Sequence, residues 1–304
     1  DENLPIVQSL HNFRAVCANA LLLRDGQPCE NCLTSRVPLA GVRHRCYRNS
    51  YKASSVMATL IATQRHRRAT ADPVTQYIAL SEFSKHKHIA SGFPADRVSV
   101  KPNFVDPDLG PGSGSGGYAM FVGRLSEEKG IKVLLDAWSQ LKAPIPLKIA
   151  GDGPLSGLVA KAERQDARIE WLGHRPVEEV CSLVGDAVCL VMPSIWYEIC
   201  PKTMLEAFSR GTPVIASRLG AMEEFIDHGT TGWHFTAGDA AELTQRVLKV
   251  FTDPEIPGSL RAAVRTEFET KYTADINFQR LMEIYSRALG STPDALLPLD
   301  ALTL

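Results

Sequence analysis

Long apolar runs are missing from this 304-residue chain: none approaches the roughly 18 residues that a membrane-spanning helix requires. No span is therefore expected, and Asp1–Pro5 offers neither the basic start nor the apolar stretch of an export signal. An excess of one charge is missing too. Lysine and arginine total 33 against 34 acids, a formal net charge of -1, so the global basic field of a nucleic-acid binder is excluded. Cysteine is sparse. Seven in 304 residues, an odd number, is unlike the disulfide framework of a small secreted domain, and the expected compartment is reducing and cytoplasmic. Core-forming material is plentiful: 44% hydrophobic and 22% charged residues match ordinary globular composition rather than disorder. The length suggests two domains at roughly 150 residues each.

From Tyr118 onward, short apolar runs alternate with amphipathic stretches. Ala119 to Gly123, Leu147 to Gly151, Ile169 to Gly173, Cys189 to Ser194 and Pro213 to Ser217 read as buried strands. Between them, Gly130 to Leu141 carries Ile131, Leu134, Leu135 and Trp138 at helical spacing, and Pro201 to Arg210 repeats the habit with Met204, Leu205 and Phe208. Such alternation predicts an α/β domain with a parallel sheet, whose ligands bind beyond the carboxyl ends of the strands. The first hundred residues are less regular, with strands expected at Pro5 to Leu10, Thr75 to Leu80 and Val98 to Lys101 and a helix from Ser54 to Gln64. They read as a partial domain, 1–109. Residues 110–117, GPGSGSGG, have the composition of a flexible linker. Gly112, Gly114 and Gly117 formally match the dinucleotide pattern G-x-G-x-x-G, but they precede a strand instead of following one, which argues against a nicotinamide site. A second domain is expected over 118–271, then a helix over 272–290 returning toward the first domain, then a proline-punctuated tail over 291–304.

Two carboxylates, Glu198 and Glu206, stand eight residues apart across a strand-to-helix junction. Glu198 falls in the loop and Glu206 one and a half turns into the helix, so both can address one polyhydroxylated ligand. Pro201 suits a first helical turn, and the amides around Cys200 to Thr203 favour an anion there. Equally, carboxylates near a helix start can simply offset its dipole or face solvent. In the loop after the first strand of this domain, Arg124 and Lys129 can clamp a diphosphate, or serve solubility, with Lys129 paired to Glu127 or Glu128. Gly151-Asp152-Gly153-Pro154 allows a close backbone approach and is also an ordinary turn.

The segments FVGRLSEEKGI, LKIAGDGPL, IEWLGHRP and PSIWYEICPKTMLEAFSRGTPVIAS resemble the GT-B retaining glycosyltransferases of family 4 (glycosyl transferases group 1), where the carboxylate pair forms the E-x7-E motif. The resemblance spans Pro5 to about Leu289. It implies an α/β fold of two Rossmann-like domains (GT-B), the second complete and the first partial. It also implies transfer of a hexose from a nucleotide diphosphate sugar to a hydroxyl acceptor, carbohydrate or lipid-linked, in polysaccharide or glycolipid biosynthesis. By resemblance Glu206 holds the nucleotide ribose, Glu198 the donor sugar, and Arg124 with Lys129 the pyrophosphate. Gly123 and Gly151 line the donor site, and backbone near Gly173 and His174 meets the base. His11, ending VQSLHN, lies beside the transferred sugar in related mannosyltransferases, which makes it the catalytic candidate of the first domain together with Glu198, Arg124 and Lys129. Ile199-Cys200-Pro201 replaces the family's common glycine-phenylalanine-glycine, leaving the sugar-facing backbone less room. Neither a metal nor another cofactor is implied. Nothing before His11 resembles the family's usual first strand and glycine-rich loop, so an amino-terminally incomplete chain is expected. The alternative is a catalytically silent nucleotide-sugar-binding subunit that needs a partner chain.

Three features stay outside that likeness. Cys17, Cys29, Cys32 and Cys46 are spaced C-x11-C-x2-C-x13-C, which fits either a structural zinc site or buried thiols that pack. The stretch Asn31 to Ala71 has no acid but carries Arg36, Arg43, Arg45, Arg48, Lys52, Arg65, Arg67 and Arg68. With Val56, Leu60 and Ile61 on the same helix, segment 36–68 fits peripheral contact with an anionic membrane at its inner face, a solvated basic surface, or an acceptor-phosphate site. Asp106-Pro107-Asp108 formally reads D-x-D, and a proline turn explains it better than a metal-nucleotide signature.

Overall fold

The computed structural model describes residues 4–253 and 255–290, and the tail expected at 291–304 lies outside them. The chain divides into two units, one running to Pro102 and resuming at Ala274, the other Asn103–Thr273.

The first unit begins with β1 (Ile6–Leu10), a 3-10 turn at Phe13–Ala15, the two-residue strands β2 (Leu23–Arg24) and β3 (Gln27–Pro28) in a hairpin, and a short helix α1 (Leu39–Arg43). Helix α2 (Tyr51–Ala71) is longer than its periodicity suggests. Ser50 caps it by accepting from the Ala53 amide, and its buried face is built from the small Ser54 and Ala58 with Ile61. Then come β4 (Val74–Ala79), α3 (Glu82–Ala90) and β5 (Val98–Val100). The three longer strands form a parallel sheet in the order β1-β4-β5.

The second unit continues with β6 (Ala119–Val122), α4 (Ile131–Gln140), β7 (Leu147–Ala150), α5 (Ser156–Gln165), β8 (Ile169–Gly173), α6 (Val177–Asp186), β9 (Cys189–Met192), α7 (Lys202–Ser209), β10 (Val214–Ser217), α8 (Ala221–Phe225), β11 (Gly232–Phe235), α9 (Ala240–Thr252) and α10 (Glu255–Lys271). Six parallel strands lie in the order β11-β10-β9-β6-β7-β8, a doubly wound sheet that reverses direction beside β6. Its inner strands β6, β9 and β10 are buried on both faces, as runs without a charged residue require, while the edge strand β8 exposes Glu170. Ile131, Leu134 and Trp138 of α4 are fully buried against it, each such side chain contributing about 1.5 to 3 kcal/mol. From the far end of the sequence, α11 (Ala274–Leu289) packs on β1 and β4 of the first unit. There Asn277 accepts from Lys101 Nζ at 2.8 Å and donates to the Pro102 carbonyl at 2.7 Å.

Gly110–Gly117 is not a free connection. The passage between units falls at Pro102, and this segment lies inside the second. The amides of Gly112, Gly114 and Gly116 donate to the carbonyls of Arg210, Gly185 and Asp186. A Cβ on Gly112 would sit 2.2 Å from the Gly185 carbonyl oxygen, so glycine here permits close approach rather than freedom. Asp108 is likewise structural: both its oxygens accept from Arg265, at 2.7 and 2.6 Å, and that guanidinium holds its carboxyl below the usual range.

Candidate functional site

Three neighbouring strands of the second unit end in glycine. Gly123, Gly151 and Gly173 follow or close β6, β7 and β8, and all three have positive φ. The Gly123 amide donates to Ala150 and the Gly151 amide to Gly173, which carries the hydrogen-bond ladder to the very mouth of the sheet. At Gly151 a Cβ would stand 1.9 Å from the Gly123 carbonyl oxygen, so only glycine fits. Above these ends opens a cavity of about 320 Å³. Of the residues read from sequence, Gly123, Arg124, Gly151, His174 and Glu206 line it. Asp152, from the turn Gly151-Asp152-Gly153-Pro154 read in the sequence, also lines it, as does Arg175, which sequence reading passed over although it adjoins His174.

Arg124 is exposed at the cavity and forms no ion pair with any described residue. Glu206, the fifth residue of α7, is partly buried. Burial pushes its carboxyl above the ordinary 4.5, with Lys202 pulling the other way. No described residue donates a hydrogen bond to that carboxylate. A half-buried, unpartnered acceptor at a cavity wall costs stability unless a ligand supplies the donors.

Glu198 is placed differently. It is 4% exposed, and its Oε1 accepts from Lys129 Nζ at 2.7 Å, Ser194 Oγ at 2.7 Å and Trp196 Nε1 at 2.9 Å. No described residue donates to Oε2, which is left to accept from something else. Lys129 thus pairs with Glu198 and not with Glu127 or Glu128, while Glu127 pairs with Lys132. The two loops are stitched by the Ile195 amide donating to the Glu128 carbonyl at 2.9 Å. Gly130 lies so close to Pro193 that a Cβ would fall 1.8 Å from its carbonyl oxygen. Neither Lys129 nor Glu198 lines the 320 Å³ cavity. Ile199 and Cys200 are buried, the Cys200 carbonyl accepts from Asn103 Nδ2 at 2.9 Å, and Pro201 occupies the position before the first residue of α7.

In the first unit His11 is exposed just past β1. A histidine that sequence reading passed over, His88, is fully buried between Phe13 and Phe93, its Nδ1 2.7 Å from the Ser84 carbonyl, and burial lowers its pKa. The basic segment divides. Arg65 donates to the carbonyls of Cys32 and Leu33, and Arg68 lies over the Phe93 ring at 4.0 Å. Those two serve the fold and leave the basic surface to Arg36, Arg43, Arg45, Arg48, Lys52 and Arg67, which are exposed. No described helix is long and apolar enough to cross a membrane. Among the described residues no group of three or more histidine, cysteine or acidic side chains is gathered to hold a metal ion.

Residues 116–253 match the family model described as glycosyl transferases group 1. The chain is similar to the amylovoran biosynthesis glycosyltransferase AmsK of Erwinia amylovora, 27% identical over 69% of this chain and 56% of the relative. It is also similar to a colanic acid biosynthesis glycosyltransferase assigned as WcaL in Salmonella typhimurium, 30% identical over 53% of this chain and 41% of the relative. It therefore spans about half the length of these relatives. Among solved structures, HepE of Anabaena in complex with UDP and glucose superposes with a TM-score of 0.68 at 19% identity, covering 93% of this chain and 71% of that one. The fold is thus α/β of the GT-B class, with parallel Rossmann-like sheets.

Proposed function

We propose, from the premise that residues 116–253 are a domain of the glycosyl transferases group 1 family, that the chain belongs to an enzyme moving a hexose from a nucleotide diphosphate sugar to a hydroxyl acceptor with retention of configuration. The observation that carries this is the half-buried Glu206 carboxylate, without a partner among the described residues, facing a cavity whose other walls include glycine strand ends and Arg124, which pairs with no described residue. Ribose hydroxyls are donors matched to Glu206. The open backbone at Gly173, with His174 beside it, suits a flat base. Arg124 on the cavity and the two spare donors of the Lys129 ammonium suit diphosphate oxygens. Glu198 Oε2, held by the three donors on its other oxygen, suits a sugar hydroxyl.

In this mechanism the anomeric carbon acquires oxocarbenium character as its bond to the diphosphate breaks. Arg124, Lys129 and the amides opening α7 stabilise the charge that grows on the leaving oxygen, and each such oriented donor is worth on the order of 10²-fold in rate. The chain's own cations do this work, so no divalent metal is required in the proposal. His11 is the first unit's catalytic candidate. The names of the relatives support an acceptor of the polysaccharide kind. An acceptor carried on a lipid would agree with the exposed mixture of Arg43, Arg45, Lys52, Tyr51, Val56 and Leu60, which suits peripheral contact with an anionic membrane surface.

Isothermal titration with UDP, GDP and ADP in EDTA tests the proposal. One of them is expected to bind in the micromolar range, at about -8 kcal/mol. No heat from any of the three would refute the donor site.

A further inference from the structure

Four of the seven cysteines, none of them in the site above, are brought together by the fold. Cys17, Cys29, Cys32 and Cys46, together with Asn19 and Arg24, line one cavity of about 20 Å³ in the first unit, a space for a single water or ion. They reach it from three separate turns. Cys17 follows the 3-10 turn, Cys29 and Cys32 follow the β2–β3 hairpin, and Cys46 follows α1. Main-chain bonds fix each approach. The Cys17 amide donates to Phe13, the Cys29 amide to Leu22 and the Cys46 amide to Gly41.

The segment that bears them is short of other support. Between Cys17 and Asn49 regular structure amounts to two two-residue strands and a five-residue helix. Among the described residues, the six non-glycine residues with positive φ all fall within it: Ala20, Leu22, Asp25, Arg45, Arg48 and Asn49. A loop-rich segment that accumulates several such residues is the kind that small folds staple with a metal or disulfides.

We propose that Cys17, Cys29, Cys32 and Cys46 form a tetrathiolate site for one structural zinc ion that staples the segment between β1 and α2. The C-x2-C turn after a hairpin supplies two ligands from one knuckle, and the separate turns of Cys17 and Cys46 supply the other two, which is the ligand count of a closed tetrahedral site. The four cysteines line one small cavity but are not drawn together into a metal-holding group, so binding requires their side chains to rotate and close on the ion. Each thiol loses its proton to solvent as its sulfur bonds the ion, and no electron is exchanged. The Cys17 thiol then gives up its hydrogen bond to Asn19 Oδ1. The resulting cluster carries a double negative charge. Arg24 on the cavity wall and Arg65, bound to the Cys32 and Leu33 carbonyls, stand where they offset it.

The test uses the full chain without a histidine tag. Zinc is measured in the purified protein by plasma mass spectrometry, and Co²⁺ is titrated into protein stripped of metal. One zinc per chain, and a cobalt spectrum with thiolate charge-transfer and tetrahedral d–d bands, are expected. Both should be lost in Cys29→Ser and in Cys46→Ser and kept in Cys181→Ala. If the serine variants fail to fold, the two readings on the unaltered chain decide alone. Zinc at background with no thiolate–cobalt band would overturn the proposal, and so would native mass mapping that finds these four cysteines in disulfides.

Discussion

Replacing Glu206 with glutamine should make the protein more stable and a worse binder. The carboxylate is half-buried, receives no hydrogen bond from a described residue, and has its pKa raised by burial. A raised folded-state value means that the folded chain holds the proton more tightly than the unfolded one. Folding stability therefore falls as pH rises from about the ordinary 4.5 through the raised value, and stays lowered above it. Glutamine keeps the shape without the charge and removes that penalty. Urea unfolding at pH 5 and pH 8 should show Glu206→Gln gaining on the parent chain at the higher pH. Binding should move the other way. Loss of an acceptor for ribose hydroxyls costs about 1.5 to 3 kcal/mol, or about 10- to 150-fold in nucleotide diphosphate affinity at pH 8. Titration calorimetry on both proteins reads it directly. Unchanged affinity in a folded variant would remove Glu206 from the site, and a variant less stable at pH 8 would refute the claim that its carboxylate lacks a partner.

A double-mutant cycle on Lys129→Met and Glu198→Gln should give a coupling energy of about 1.5 to 3 kcal/mol in urea unfolding. That is less than for a fully buried pair, because Lys129 is 25% exposed and Ser194 and Trp196 still serve the carboxylate. A coupling near zero would mean that the 2.7 Å contact does not persist in solution. Arg124→Ala should lower kcat by about 10²-fold while leaving nucleoside affinity nearly intact, and a change within about threefold would dismiss it as a leaving-group contact. Gly151→Ala should destabilise by about 3 kcal/mol or more, since the new Cβ meets backbone at 1.9 Å and φ is +136°; a thermal melt within a degree or two of the parent would show that β6 and β7 can part there.

The five strands read from sequence in the second unit were legible because each is a mostly apolar run closed by glycine, serine or proline; β6, β9 and β10, buried on both faces, carry no charge, while Lys148 and Glu170 interrupt β7 and the edge strand β8. β11 was not legible. Gly232–Phe235 opens on a glycine and carries His234, so it shows no apolar run of the kind that marks the other four-residue strands. The reach of α2 was hidden because its buried face uses serine and alanine, which carry no hydrophobic signal. Gly110–Gly117 was misread for a physical reason. Composition cannot distinguish a glycine that needs freedom from one that needs contact, and here the Gly185 backbone is the contact. At the site, motif spacing located Glu198 and Glu206, but the difference between them came only from packing. One carboxylate is saturated on one oxygen by Lys129, Ser194 and Trp196, and the other receives no hydrogen bond from a described residue.

The first unit is discontinuous, with α11 joining β1 and β4 after the whole second unit has intervened. On a ribosome this sets an order. All six strands of the second sheet are available by Phe235, while the helix that covers β4 cannot be in place until Ala274–Leu289 has emerged. At 5 to 20 residues per second, roughly 170 intervening residues amount to about 10 to 35 seconds in which the β1-β4-β5 sheet waits with one side uncovered. The chain should therefore be most dependent on chaperones, and most open to proteases, over the β1-β4-β5 sheet rather than over the second unit.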